Sequence, residues 1–194
     1  MTKNKLDRRM AVASLLASRK DALVVTGLGS ATYDVAAAGD TPHNFYLWGA
    51  MGGTAALALG LAGAQPEKPV VAVTGDGEML MGMGSFATIA LQQPRNLTVV
   101  VLDNGLYGET GAQQSHTTRT DLAAVARASG IEAVEVVETP ADLERVKARF
   151  PSVTQGPRVV VIKIAAAEYP RLVPLREGAH AKARMREALG LAAE

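Results

Sequence analysis

The chain has 194 residues, 48% hydrophobic but only 4% aromatic, with a net charge of +1 and no cysteine. That length suits one domain or slightly more around a single core. The core must be built from Ala, Val, Leu and Gly, whose small side chains let helices lie close on a sheet. Without cysteine the chain offers no disulfide, thiolate zinc site or iron–sulfur ligand. Its mixed charges leave no basic stripe for nucleic acid and no acidic tail for a charged partner.

The first residues are charged and lead into Asp7-Arg8-Arg9 with no apolar signal core behind them, so a cytoplasmic protein is expected. Apolar residues at Leu6, Met10, Ala13 and Leu16 give Lys5 to Ala17 a helical repeat. Leu23 to Thr26 reads as a short buried strand, ended by Gly27-Leu28-Gly29-Ser30. Ser30 is a fair N-cap for a helix over about Ala31 to Ala38. The stretch from Asn44 to Gln65 carries no charge, and about 20 apolar residues can span a bilayer. Five glycines interrupt it and Pro42 and Pro66 bracket it, so a strand (Phe45 to Leu47), a turn and a buried helix (about Gly52 to Ala64) explain it better.

Further strands are expected at Val70 to Thr74, Leu97 to Asp103, Ala133 to Val137 and Arg158 to Ile164. The intervening helices are Glu78 to Gln92, Asp121 to Ser129 and Ala141 to Phe150. A terminal helix reads at Met185 to Leu191, after an irregular stretch through Pro170 and Pro174. Strands alternating with helices predict an α/β fold, a parallel sheet flanked by helices on both faces. The expectation is a single domain over 1–194 with a C-terminal helical extension from about 170. Ligands in such sheets sit at the carboxyl ends of the strands. Four loops should meet there: Gly27–Ser30, Trp48–Gly52, Gly75–Glu78 and Asn104–His116. The long polar loop from Asn104 to Thr120 is itself a functional signal.

Gly75-Asp76-Gly77 directly follows one apolar strand, and Asn104 follows the next, with 26 residues between Gly77 and Asn104. A carboxylate and an amide oxygen at neighbouring strand tips suit a hard cation such as Mg²⁺, which shares its octahedron with phosphates. The glycines let the backbone approach a phosphate, and the helix after Gly77 presents free N–H groups to an anion. The plainer reading is that Asp76 sits in a turn and Asn104-Gly105 is a tight turn; the spacing favours the metal–diphosphate site. Asp103 should point to the other side.

This pattern resembles the thiamine diphosphate motif of the acetolactate synthase and 2-oxo acid decarboxylase superfamily. The match runs through Gly75-Asp76-Gly77-Glu78-Met79-Leu80-Met81 and Leu102-Asp103-Asn104-Gly105-Leu106-Tyr107-Gly108. It is most similar to the β-type subunits of sulfopyruvate decarboxylase and the matching half of phosphonopyruvate decarboxylase, over roughly Val24 to Ile164.

The resemblance implies thiamine diphosphate and Mg²⁺ as cofactors, with Asp76, Asn104 and the backbone oxygen of Leu106 as metal ligands. Gly75, Gly77, Glu78, Met79 and Tyr107 would surround the diphosphate, and Gly29 and Ser30 form another diphosphate-contacting turn. Ser30 as an ordinary cap stands beside that role. A carboxylate at Glu78 is costly next to an anion unless it caps the helix or turns outward. Gly49 and Met51 resemble the pyrimidine-binding turn, with Met51 as the wedge that bends the cofactor; plain core packing is the alternative. Trp48 would be a pocket wall or an interface anchor.

On the substrate side, Gln113 and His116 would bind an anionic 2-oxo acid or manage a proton; a solvated loop histidine is the equal alternative for His116. His43 and His180 read as structural or exposed, and Arg119 as a surface arginine, with pairing to a substrate anion as the alternative. In the resembled family the glutamate that activates the cofactor lies on a separate pyrimidine-binding domain, for which this chain has no room. A partner α subunit carrying that glutamate is therefore expected, in a hetero-oligomer without nucleic acid or membrane. The implied activity is decarboxylation of a small 2-oxo acid. Carboligation, a 2-oxoacid oxidoreductase β subunit, a non-catalytic cofactor-binding subunit and a flavodoxin-like module are the alternatives.

Overall fold

The computed structural model describes residues 5–192; the notional ends of the domain, 1–4 and 193–194, lie outside the described residues. Six parallel strands form one sheet: β1 Leu23–Thr26, β2 Asn44–Tyr46, β3 Val70–Gly75, β4 Leu97–Asp103, β7 Ala133–Val137 and β8 Arg158–Lys163, in the order β2-β1-β3-β4-β8-β7. A two-stranded antiparallel ribbon, β5 Leu106–Tyr107 and β6 Gln113–Gln114, stands apart from it.

The central strands are near-continuous Val/Leu/Ile runs because both faces are covered. One face packs Val71, Val73, Val100, Leu102 and Ile162 against α1 (Arg8–Leu16), α2 (Ser30–Ala37) and α7 (Pro140–Lys147). The other packs Ala72, Val99, Val101 and Val161 against α3 (Thr54–Ala64), α4 (Asp76–Met81), α5 (Ser85–Gln92) and α6 (Leu122–Ala128). The chain passes from β1 to β2 on one side of β1, then returns to β3 on the other. Helix α2 follows β1 onto one face and α3 follows β2 onto the opposite face, which opens a crevice above the tips of β1 and β3.

Two expected boundaries are corrected. The single helix over Glu78 to Gln92 is broken at Gly82-Met83-Gly84 and begins earlier, at Asp76. The break lets two loops touch: a Cβ on Gly82 would lie 2.1 Å from the carbonyl oxygen of Gly52. The terminal helix α8 spans Gly178–Ala188 rather than starting at Met185, because the Glu177 side chain caps it by accepting from the N–H groups of Ala179 and His180. Residues 165–177 are irregular, and Trp48 Nε1 donates to Leu175 O at 2.8 Å, so Trp48 anchors this extension. Among the described residues no helix is long and apolar enough to cross a membrane.

Candidate active site

The four predicted loops do converge. Strand register aligns their tips, with Thr26 opposite Val73, Gly75 opposite Leu102 and Asp103 opposite Lys163. Between them lies a cavity of about 300 Å³ lined by Gly29, Ser30, Met51, Gly75, Asp76, Gly77, Glu78, Asn104, Leu106 and Tyr107. Ten of the predicted site residues are thus brought together. Gly49, Met79, Gln113 and His116 do not line it.

Asp76 is the first residue of α4 and only 2% exposed. Its Oδ2 accepts from the Ser115 hydroxyl, and Thr117 Oγ1 stands 3.0 Å away. The same Thr117 oxygen is 2.9 Å from Asp103 Oδ1, so one hydroxyl proton serves two carboxylates. Asp103 turns out of the cavity, as expected, and is paired with Lys163, yet it reaches Asp76 through Thr117. Burial pushes the pKa of Asp76 up, the Ser115 hydrogen bond draws it down, and the charge of Asp103 adds to the rise. Two carboxylates and one lysine leave excess negative charge at a dry site, which a divalent cation would relieve.

The Asn104 side chain accepts the Leu106 N–H at 2.8 Å, and Asp103 accepts the Gly105 N–H at 3.1 Å. Gly105 takes φ 75° in that turn. The tight-turn reading of Asn104-Gly105 is therefore realised, and it coexists with a ligand role because a carbonyl oxygen has a second lone pair. Asp76, Asn104 and the Leu106 carbonyl offer only hard oxygens, the set Mg²⁺ takes when it shares phosphate ligands. Among the described residues no group of three His, Cys, Asp or Glu side chains is placed to hold a metal ion.

Glu78 is turned inward, not toward the cavity's anion position. Its carboxylate accepts from Thr54 Oγ1 at 2.5 Å and Thr74 Oγ1 at 2.9 Å. Burial raises its pKa, while the bonds from Thr54 and Thr74 and the N–H groups of Thr54 and Leu28 oppose that rise. A Cβ on Gly27 would lie 2.0 Å from Glu78 Oε1, so Gly27 exists to admit this carboxylate. The conflict seen in the sequence is resolved by geometry.

Ser30 does not cap its helix. The cap is Gly29 at φ 72°, with no side-chain hydrogen bond, and Ser30 opens α2 on the cavity wall. Gly77 lies under the Tyr107 ring, which a Cβ there would meet at 2.4 Å. Met51 is 40% exposed at the cavity mouth, between Gly49 and Gly52, both at positive φ. Core packing does not describe it. Met79 is buried in the sheet core, so only its backbone is near the site. Gln113 is exposed and folds back on Thr110, with bonds of 2.8 and 2.6 Å. His116 is exposed too, with Nδ1 2.9 Å from the Tyr107 hydroxyl, which links it to a lining residue. Arg119 and His180 are exposed, as expected. Ser115 and Thr117 were missed by sequence reasoning; nothing in one sequence tells which hydroxyls of a polar loop face inward.

The family described as thiamine pyrophosphate enzyme, C-terminal TPP binding domain, matches residues 27–164. Phosphonopyruvate decarboxylase of Streptomyces viridochromogenes is 40% identical over 145 residues, 75% of this chain and 36% of that protein. Sulfopyruvate decarboxylase subunit beta of Methanococcus maripaludis is 37% identical over 143 residues, 74% of this chain and 76% of the subunit. The chain thus spans about a third of the first relative's length and about three quarters of the second's. Among solved structures, it is similar to a 2-oxoglutarate:ferredoxin oxidoreductase from Magnetococcus marinus, with a TM-score of 0.64 at 17% identity, over 95% of this chain and 76% of that one. That likeness supports the fold: the parallel sheet is the thiamine diphosphate-binding α/β fold. The chain belongs to the thiamine pyrophosphate enzyme family and carries its C-terminal TPP-binding domain.

Proposed function

We propose that this chain is the β subunit of a two-subunit thiamine diphosphate- and Mg²⁺-dependent decarboxylase of a small, anionic 2-oxo acid of the sulfopyruvate or phosphonopyruvate kind. The observation that carries this reading is the meeting of Asp76, Asn104 and Leu106 on one cavity between two strand tips. Relatives at 37–40% identity bear the names of those two decarboxylases.

In this reading Asp76, Asn104 Oδ1 and the Leu106 carbonyl hold Mg²⁺, and the first turn of α4 and Ser30 of α2 present N–H groups and a hydroxyl to the diphosphate. Gly29, Gly75 and Gly77 allow the close approach, and Tyr107 closes over Gly77. The Gly49 and Met51 turn receives the pyrimidine side, with Met51 holding the bend between the rings. Bound thiamine diphosphate supplies the electron sink that carbon dioxide loss from a 2-oxo acid needs. Gln113 and His116 belong to the substrate side; they lie outside the cavity on an exposed face that an α subunit would cover. That subunit brings the pyrimidine-binding domain and its activating glutamate, and the assembly is a cytoplasmic hetero-oligomer.

The test is to purify the chain alone and together with its neighbouring gene product, and to assay cofactor binding and decarboxylation of sulfopyruvate and phosphonopyruvate. Activity should require both proteins and Mg²⁺. Full activity from the isolated chain would refute the split-enzyme reading. Asp76→Ala should abolish Mg²⁺-dependent cofactor binding without unfolding the domain, and unchanged binding would remove the metal assignment.

A further inference from the structure

Arg8 is a buried cation that the site as described does not use. It opens α1 and is 6% exposed. Its Nε stands 2.5 Å from Asp34 Oδ2 without hydrogen-bond alignment, and both atoms are buried with no hydrogen-bond partner. Asp34, fully buried, is already held by Arg9 Nε at 3.0 Å. Two guanidinium groups therefore face one carboxylate: Arg9 reaches the surface at 21% exposure and also donates to Pro170 O, while Arg8, 5.3 Å over the Tyr169 ring, carries its charge buried. Such a charge is costly unless a further anion meets it.

That charge stands on a wall shared by two cavities. A second cavity of about 300 Å³ adjoins the first, and Arg8, Ser30, Asn104, Leu106, Gly108 and Glu109 line both. Glu109, the one carboxylate among these six residues, stands 4.0 Å from Arg171, and Glu168 also lines the second cavity. Among the described residues no acceptor takes a hydrogen bond from the terminal nitrogens of Arg8, whose fork matches a phosphate edge. Arg8 opens α1 and Met51 lies in the turn before α3, two helices that cover opposite faces of the sheet, and both residues line the first cavity. If Met51 marks the ring end of the cofactor, Arg8 lies at the other end, beside Ser30.

We propose that Arg8 binds the terminal phosphate of the cofactor's diphosphate and fixes that end of the cofactor. The inference rests on the thiamine diphosphate reading given above. Asp34 is then a positioning residue: it holds the Arg8 guanidinium in place while Arg9 shares in its neutralisation.

The experiment titrates the purified chain, in Mg²⁺, with inorganic diphosphate and with thiamine diphosphate, for wild type, Arg8→Gln and Arg8→Lys. Losing one charge-assisted contact should weaken both probes about 10- to 100-fold in Arg8→Gln. Arg8→Lys, which keeps the charge but not the fork, should recover part of that loss. Phosphorus NMR of bound thiamine diphosphate should show the terminal resonance moved in Arg8→Lys and the inner one in place, a selectivity that a structural role does not produce. Should Arg8→Gln fail to fold, the Lys variant decides by the same two readouts. Wild-type affinity in a folded variant, or equal movement of both resonances, overturns the proposal. Unchanged diphosphate affinity with a raised KM for the 2-oxo acid in the complex also overturns it, since Arg8 would then serve substrate. A wild-type chain that binds neither probe with Mg²⁺ sinks the cofactor reading itself, a result distinct from failure of the Arg8 variants alone.

Discussion

The Glu78 carboxylate stands 2.5 Å from the hydroxyl of Thr54, the first residue of α3. Through this contact, the bond from Thr74 and the N–H of Leu28, one side chain ties together the first turns of α3 and α4 and the loop after β1. Two of these segments line the cavity, and α3 directly follows a third, the Met51 turn. Truncation in Glu78→Ala would leave two hydroxyls and two N–H groups without their acceptor, at a cost of about 2–4 kcal/mol. Glu78→Gln keeps the shape and one accepting oxygen, and should cost less than half as much. Denaturant melts of the two variants check the order; equal losses would show that only the methylene packing matters.

The contact between Gly82 and Gly52 sets the height of the Met51 turn. A methyl group at position 82 would meet the Gly52 carbonyl oxygen at 2.1 Å, and backbone cannot yield as a side chain can. Gly82→Ala should therefore destabilise by about 1–3 kcal/mol and push the Met51 turn outward. Its signature is joint: a lowered melting temperature together with weaker thiamine diphosphate binding. A variant that melts lower but binds normally would separate Met51 from the cofactor.

Much of this was readable from the residues. The apolar runs placed the central strands of the main sheet because a strand buried on both faces needs unbroken Val, Leu and Ile; the edge strands Asn44–Tyr46 and Ala133–Val137 carry weaker patterns. The spacing of Asp76 and Asn104 placed the cavity because parallel strands put their carboxyl ends on one edge. Long-range contacts were not readable. Gly82 looks like a residue within a helix until Gly52 is brought beside it, and Glu78 looks misplaced until Gly27 makes room for it. Ser30 has the composition of a cap, but the strained turn gave that position to Gly29. The ribbon of Leu106–Tyr107 and Gln113–Gln114 is too short to leave a pattern, so the inward Ser115 and Thr117 were lost with it.

Helix α7 offers a pH test separate from the site. The Thr139 hydroxyl, aided by the Glu138 N–H and Arg145, holds the Asp142 carboxyl down at about 2, below its ordinary 3.8. A depressed carboxylate stabilises the fold above the ordinary value and loses that contribution as pH falls through the folded one. The melting-temperature margin of wild type over Asp142→Asn should thus be constant above pH about 4 and shrink between about 4 and 2. A margin independent of pH over that window would mean the capping box works by geometry alone.

On the split-enzyme reading proposed above, the partner should sit on the face of α3, α4 and α5. Leu91 is 82% exposed on α5 and Met81 is 60% exposed on α4, close to the Met51 mouth. Helix α3 is apolar on every side, with Ala56 and Gly60 bare to solvent, a pattern that suits a helix covered on both faces. Isolated exposed apolar residues are common; Met51 and Met81 at the cavity, with Leu91, Ala56 and Gly60 bare on neighbouring helices, make a larger apolar face of the kind that suits an interface. Leu91→Glu places a charge where the α subunit would bury it and adds nothing that the free chain must bury. The variant should keep its own stability within about 0.5 kcal/mol, yet lose co-purification with the α subunit and, with it, decarboxylase activity. If the complex forms unimpaired, the α subunit docks elsewhere and the bare faces of α3 and α5 need another occupant.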